Sequence, residues 1–152
     1  MLIERAGPMD NLIIREMRIE DTEAVNRIYK SIVKTPTEIN FRRIGEEQSQ
    51  GRGAVSFVAE HEGSVVGYMI SYILSGGFGI DKGAWIAMLG VDPRYMGQGI
   101  GKKLATEIFN FCKEKGIKNI FTSVRWDSTD LLSFFKAMDF DRSNFINLRK
   151  VL

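Results

Sequence analysis

The sequence predicts a single mixed α/β (α+β) domain with elements in the order βαα-βββ-α-β-α-β. One observation is that the apolar period switches repeatedly between two and 3.6 residues along the chain. A second is a nearly continuous apolar run at 84–91. It leads through a glycine-rich turn into an amphipathic helix and then another strand, the pattern of a βαβ unit with two parallel strands. The third is size: 152 residues, 44% hydrophobic, with no linker rich in Pro, Gly or Ser and no internal repeat. A chain of this length buries roughly 68–70% of the surface its unfolded form exposes, so it needs no disulfide or metal staple.

Residues 1–11 read as a loose leader, and the domain spans 12–152. Glu4 and Arg5 break the apolar start, so the leader is not a signal peptide. Residues 12–17 form a first strand. Asp21 caps a helix whose positions Val25, Ile28, Tyr29 and Ile32 keep the 3.6 period. Thr35-Pro36-Thr37-Glu38 has the form of a capping box with Pro at the first helical position, so a second helix is expected to start there and end near Gly51-Arg52-Gly53. Residues 54–60 alternate, with Val55, Phe57 and Ala59 on one face. They turn through His61-Glu62-Gly63-Ser64 into 65–74 as a hairpin. A loop at 75–79 precedes the strand at 84–91. A helix over 98–115 carries Ile100, Leu104, Ile108 and Phe111 on one stripe, and Gly116 stops it. A strand at 117–124, a helix at 128–138 and a last strand at 145–152 complete the order.

Composition excludes several classes. Twenty-one basic against nineteen acidic residues give a net charge of +2, which argues against nucleic acid or a membrane surface as the main partner. No stretch approaches the 18 apolar residues of a membrane span. Cys112 has no partner and fits a reducing compartment, so a cytoplasmic protein is expected. No His, Cys or Asp cluster has metal-ligand spacing, so no metal is expected.

The strongest chemical signal runs from Val91 to Leu104: a buried strand, the turn Asp92-Pro93, glycines at 97, 99 and 101, then a helix opening with Lys102 and Lys103. Glycines admit a ligand close to the backbone, and the open N–H groups and dipole of a helix start favour an anion. The same glycines would also serve a turn that merely begins a core helix. A dinucleotide fingerprint needs G-x-G-x-x-G and an acid about 20 residues on. A phosphate loop of the Walker type needs Gly at 96 and Ser or Thr at 103. Here the glycines are spaced G-x-G-x-G with no acid near 117–120, and Met96 and Lys103 stand at the Walker positions, so both fail.

Val91-Asp92-Pro93, then Gln98-Gly99-Ile100-Gly101 and Leu104, resembles the acyl-CoA pyrophosphate loop of the GNAT N-acetyltransferase superfamily. The resemblance extends over about 13–152. It includes the hairpin at 60–68 and a degenerate second motif, Phe134-Phe135-Lys136-Ala137-Met138-Asp139-Phe140. It implies a cosubstrate, acetyl-CoA, wedged between parallel strands 84–91 and 117–124, which splay apart. Leu89, Gly90 and Val91 would face the pantetheine with backbone groups, Gly90 marking the bulge that opens the sheet. The N–H groups of Gly97, Gln98, Gly99, Ile100, Gly101 and Lys102 would hold the pyrophosphate. Ser128 stands where many members have an Asn that touches the cofactor arm, or it only caps the helix.

The implied reaction is direct transfer of acetyl from CoA to a primary amine of a small molecule, protein or peptide. The acid/base half departs from the family. The Tyr that many members use to protonate the thiolate aligns with Phe135. The acidic base is absent from Trp85-Ile86-Ala87-Met88, and Ser123 replaces the Glu of the related ribosomal-protein acetyltransferases. Asp139 takes the place of a turn glycine. Asp127 is the first candidate for handling the proton or orienting the amine, or else it caps a helix. Tyr72 and Tyr95 could donate to the thiolate if they point inward. His61 reads as a solvated turn residue, and Cys112 as a small core residue. The acceptor side would be built around 32–41, where Glu38 could attract an amine. Only twelve residues follow Phe140, which implies an open acceptor side or a sheet completed by a second subunit as a homodimer. The alternative to an enzyme is an acyl-CoA-binding regulatory or interaction module that has lost its chemistry.

Overall fold

A computed structural model describes residues 11–76 and 81–152. The leader at 1–10 and most of the loop expected at 75–79 lie outside the described residues. Five strands form one sheet in sequence order: β1 (Leu12–Glu16), β2 (Ala54–His61), β3 (Ser64–Ser75), β4 (Lys82–Val91) and β5 (Ile120–Thr122). The first four are antiparallel neighbours, and β4 pairs with β5 in parallel. Four helices cover the sheet: α1 (Thr22–Ile32), α2 (Phe41–Ser49), α3 (Ile100–Glu114) and α4 (Thr129–Ala137).

Each strand of the hairpin serves both faces. Val55, Phe57 and Ala59 of β2 pack with Ile100, Leu104, Ala105 and Ile108 of α3. Val58 of β2, with Tyr68 and Ile70 of β3, packs against Val25 and Ile28 of α1 and Phe41 and Ile44 of α2. The sheet is therefore sandwiched, α3 on one side and α1 with α2 on the other, as its two-sided apolar content requires.

Three local expectations are corrected. The box at 35–38 starts no helix. Residues 33–40 are an irregular link with a bend at Lys34 and Thr35, and α2 begins at Phe41 with Asn40 accepting from the Arg43 N–H at 3.0 Å. Thr37 is drawn instead to the Tyr29 hydroxyl, so Pro36 and Glu38 stand in a loop. Asp21 precedes α1 but does not cap it. Its buried carboxylate accepts from both terminal nitrogens of the Arg15 guanidinium, at 2.7 and 2.8 Å, and from the Arg18 N–H at 2.8 Å, while Arg15 Nε donates to Glu60. Residues 145–152 keep their alternation yet form no strand, because no backbone edge lies in ladder register with them among the described residues.

Burial opposes the charge on Asp21, but the Arg15 hydrogen bonds prevail and hold its pKa below the usual range. Arg15→Met should cost roughly 3 kcal/mol in a urea melt, the low end for breaking a buried pair, because a buried carboxylate loses its partner. The pair's contribution is complete above the unfolded Asp value of ~3.9, and it is lost as pH falls through the lowered folded value. The variant should accordingly lose less stability than wild type on acidification below that point. Equal acid sensitivity would show the pair to be inert.

Candidate active site

The parallel pairing of β4 with β5 lasts three residues: Ala84↔Ile120, Trp85↔Phe121 and Ile86↔Thr122. The Thr122 hydroxyl donates to Ile86 O at 2.9 Å, and the Trp85 and Phe121 rings stack at 4.5 Å. Beyond that the strands part, leaving a cavity of about 210 Å³ between Ala87–Leu89 on one wall and Thr122–Val124 on the other. The expected splay is thus present, but its bulge is not at Gly90. Pairing with β3 steps from Ser71↔Ile86 to Ile70↔Met88, so Ala87 is the extra residue.

The bulge resets the alternation of main-chain groups. The Asp92 N–H bonds Val66 O at 2.8 Å, which places the backbone of residues 90 and 92 toward β3 and that of Leu89 and Val91 toward the open side. Gly90 has a different role. A Cβ there would lie 2.7 Å from the Tyr68 ring and 2.8 Å from Ile32, so its lack of a side chain seats Tyr68 beneath the splay.

After β4, Asp92 accepts from the Arg94 N–H at 3.0 Å and pairs with its guanidinium at 2.9 Å, closing a short 3-10 turn, Pro93–Tyr95. Gly97 and Gly99 then take φ of 79° and 78°, and a Cβ on either would meet nothing within 4 Å. Gly99 is the N-cap of α3 and brings no capping side chain. The first helical bond runs from the Lys103 N–H to Gly99 O at 3.1 Å, so Ile100, Gly101 and Lys102 keep open amides. A left-handed turn with free space above an uncapped 15-residue helix leaves three main-chain amides open at the positive end of the helix, an arrangement that favours an anion. Gly101 is constrained differently, since a Cβ there would lie 3.0 Å from the Phe134 ring of α4.

The sequence matches the Acetyltransferase (GNAT) family over residues 20–140. The chain belongs to that family. It is 29% identical over 113 residues to a ribosomal protein bS18-alanine N-acetyltransferase of Bacillus subtilis, covering 74% of this chain and 69% of that one. It is 27% identical over 89 residues to a mycothiol acetyltransferase of Amycolatopsis mediterranei, covering 57% of this chain but only 30% of that protein. An aminoglycoside acetyltransferase from an uncultured soil metagenomic sample has the same fold. Its TM-score is 0.77 at 24% identity, over 94% of this chain and 97% of that one.

In this GNAT protein the reacting end of the splay differs from what the sequence suggested. Phe135 lines the cavity and brings no donor. Tyr72 packs beside α1 and α2, and Tyr95 lies edge-on to His61 at 5.6 Å; neither lines the cavity. Two other tyrosines do, Tyr29 of α1 and Tyr68 of β3. The Tyr29 hydroxyl shares a hydrogen bond with Thr37 Oγ1 at 3.3 Å and accepts from the Thr37 N–H at 3.1 Å, and these bonds lower its pKa. Burial, with Tyr29 nearby, pushes the Tyr68 phenol up. Tyr29 sits on the apolar stripe of α1 and so reads as core. The available clue is chemical: a buried phenol needs a partner, and Thr37 is eight residues on.

Asp127 lies just past β5 with its carboxylate forked onto Arg125 at 2.9 and 2.7 Å, a hydrogen bond that lowers its pKa. It does not cap α4. Ser128 holds the N-cap position, and its hydroxyl makes no capping bond. Asp139 adopts the left-handed turn at φ 66°. His61 is packed rather than solvated, its Nδ1 buried without a partner. Cys112 is buried in the core, and burial pushes its thiol up, away from nucleophile range. Among the described residues, no group of three or more His, Cys, Asp or Glu is placed to hold a metal, and no helix is long and apolar enough to cross a membrane.

Proposed function

We propose that this protein is an acetyl-CoA-dependent N-acetyltransferase that transfers acetyl directly to a primary amine of a small molecule, protein or peptide. One observation carries the reading: the uncapped start of α3 stands at the end of the strand whose parallel partner has just splayed away. Leu89 and Val91 would bond the pantetheine amides. The amides of Gly97 to Lys102, with the Gln98 side chain, would hold the pyrophosphate, and the free Ser128 hydroxyl would meet the arm. Gly90 contributes the space that seats Tyr68. Acetyl-CoA supplies the activated thioester; the chain supplies position and proton handling.

For the proton, the reading assigns Tyr29, whose hydroxyl oxygen already accepts from Thr37 and lines the cavity. Asp127, ion-paired and so a weak base, would orient the incoming ammonium electrostatically before it loses its proton. The relatives' names, one for a protein α-amine and one for aminoglycosides, support an amine acceptor without choosing its size. A cytoplasmic location and a homodimer belong to the same reading.

Phe135 supports a second reading, a binding module that holds acyl-CoA without turning it over. Thiol release from acetyl-CoA, measured against free amines, polyamines, amino acids and peptide N-termini, separates the two. Release with at least one acceptor is expected, and release with none would favour the module. In that assay Asp127→Ala should lower turnover more than it weakens acetyl-CoA. Unchanged turnover would remove Asp127 from the mechanism.

A further inference from the structure

The cavity of the splay touches both helix layers. Leu89, Val124 and Phe135 pack into the core beneath α3, whereas Tyr29, Val33, Tyr68 and Met88 pack into the core beneath α1 and α2. The open amides that start α3 lie on the first side, since Ile100 belongs to that core. A phosphorylated cosubstrate would therefore enter from the α3 side, and an acceptor would meet it from the α1 side. At about 210 Å³ the cavity is smaller than the roughly 300 Å³ of the smallest usual ligand clefts, so it admits only the reacting end of each partner.

The wall that reads the acceptor carries no charge. Among the described residues, no Asp, Glu, Lys, Arg or His lines the cavity. Its polar side chains are hydroxyls, and two are already engaged: Tyr29 with Thr37, and Thr122 with Ile86 O. Burial pushes the Tyr68 phenol up, the response of an ionisable group whose surroundings disfavour charge. Charges outside the wall do not compensate. Asp127 is ion-paired with Arg125, and Glu38 is exposed on the link between α1 and α2. Lys30 and Lys34, each one residue beyond Tyr29 or Val33, are exposed and cationic.

The reacting amine needs no counter-charge here, because it attacks as the neutral base. A second ammonium on the same molecule keeps its proton at neutral pH, and it would lose its water without gaining a carboxylate. We propose that the acceptor is a primary amine carried on an uncharged apolar group, aliphatic or aromatic, and that polycationic amines are turned away. The inference rests on the transferase reading above and narrows its acceptor.

Two matched pairs test it in the thiol-release assay: butylamine against putrescine, and a tripeptide amide beginning with Leu against one beginning with Lys. Within each pair the reach is similar and the difference is one ammonium. The uncharged member should lead in kcat/KM by about tenfold or more, the scale of leaving a polar group unpaired in a buried site. Leu131 lines the cavity and is 37% exposed in the first turn of α4, where a carboxylate suits the helix dipole. Leu131→Glu should therefore fold, and it should raise the putrescine-to-butylamine ratio by about fivefold, the upper scale for a part-exposed ion pair, without changing the KM for acetyl-CoA. Val33→Asp repeats the test from the α1 side. A charged member that equals or leads its partner overturns the proposal and leaves the transferase reading intact. A ratio that neither folded variant moves does the same. Release with no acceptor at all removes the transferase reading, and the proposal with it. The matched pairs decide whether or not a variant folds.

Discussion

Gly101→Glu should weaken acetyl-CoA binding at least 100-fold, about 2.8 kcal/mol, in isothermal titration. Two effects act together at this position. The new carboxylate sits in the first turn of α3, where open amides and the positive end of the helix dipole favour a phosphate and a fixed negative charge repels one. Its Cβ also lies 3.0 Å from the Phe134 ring, so α4 must give way slightly. Gly101→Ala separates the two, because it carries the same Cβ and no charge. It should lower the melting temperature modestly and leave affinity within a few fold. If the Glu variant bound acetyl-CoA as wild type does, the loop would not be the pyrophosphate site. If Ala weakened binding as much as Glu, the packing of α3 on α4 would be the cause and not charge.

Tyr29→Phe should lower kcat by ~10²-fold or more, the usual scale for losing a positioned proton-transfer group, while leaving the KM for acetyl-CoA near its wild-type value. The ring keeps its edge-on contact with Phe41 at 5.6 Å, so the fold should survive. The diagnostic readout is the pH profile. The bonds from Thr37 lower the Tyr29 pKa, so a limb assigned to its ionisation should fall below the ordinary phenol value and vanish in the variant. Tyr68→Phe is the control, since its phenol is pushed up by burial and should contribute no such limb. A Tyr29→Phe enzyme with unchanged kcat would return Tyr29 to the core.

Much of this was legible before any coordinates. The hairpin at 54–74 follows from alternation and a turn, and α3 from its apolar stripe and the glycine after it. The open turn before α3 followed from glycines at 97 and 99 because its requirements are local: positive φ, space, and a helix start without a cap. The box at 35–38 misled because its local signal was outweighed by distant ones. Asn40 offered a better cap, and the Tyr29 hydroxyl claimed Thr37. Asp21 misled similarly, since Arg15 arrives from the neighbouring strand and takes the carboxylate that a capping rule assigns to the helix.

The sequence by itself determined the order of elements as far as α4, the GNAT family and the glycine turn that opens α3, because each is written in residues within a few positions of one another. Tertiary structure alone decided that β4 bulges at Ala87 rather than Gly90 and that Tyr29 and Tyr68, not Tyr72 and Tyr95, reach the cavity. It also decided that 145–152 joins no strand ladder among the described residues. In each case the outcome depends on which distant surface arrives opposite. A strand needs an edge to bond, a bulge needs a register to break, and a phenol has a chemical role only where packing leaves it a cavity to face.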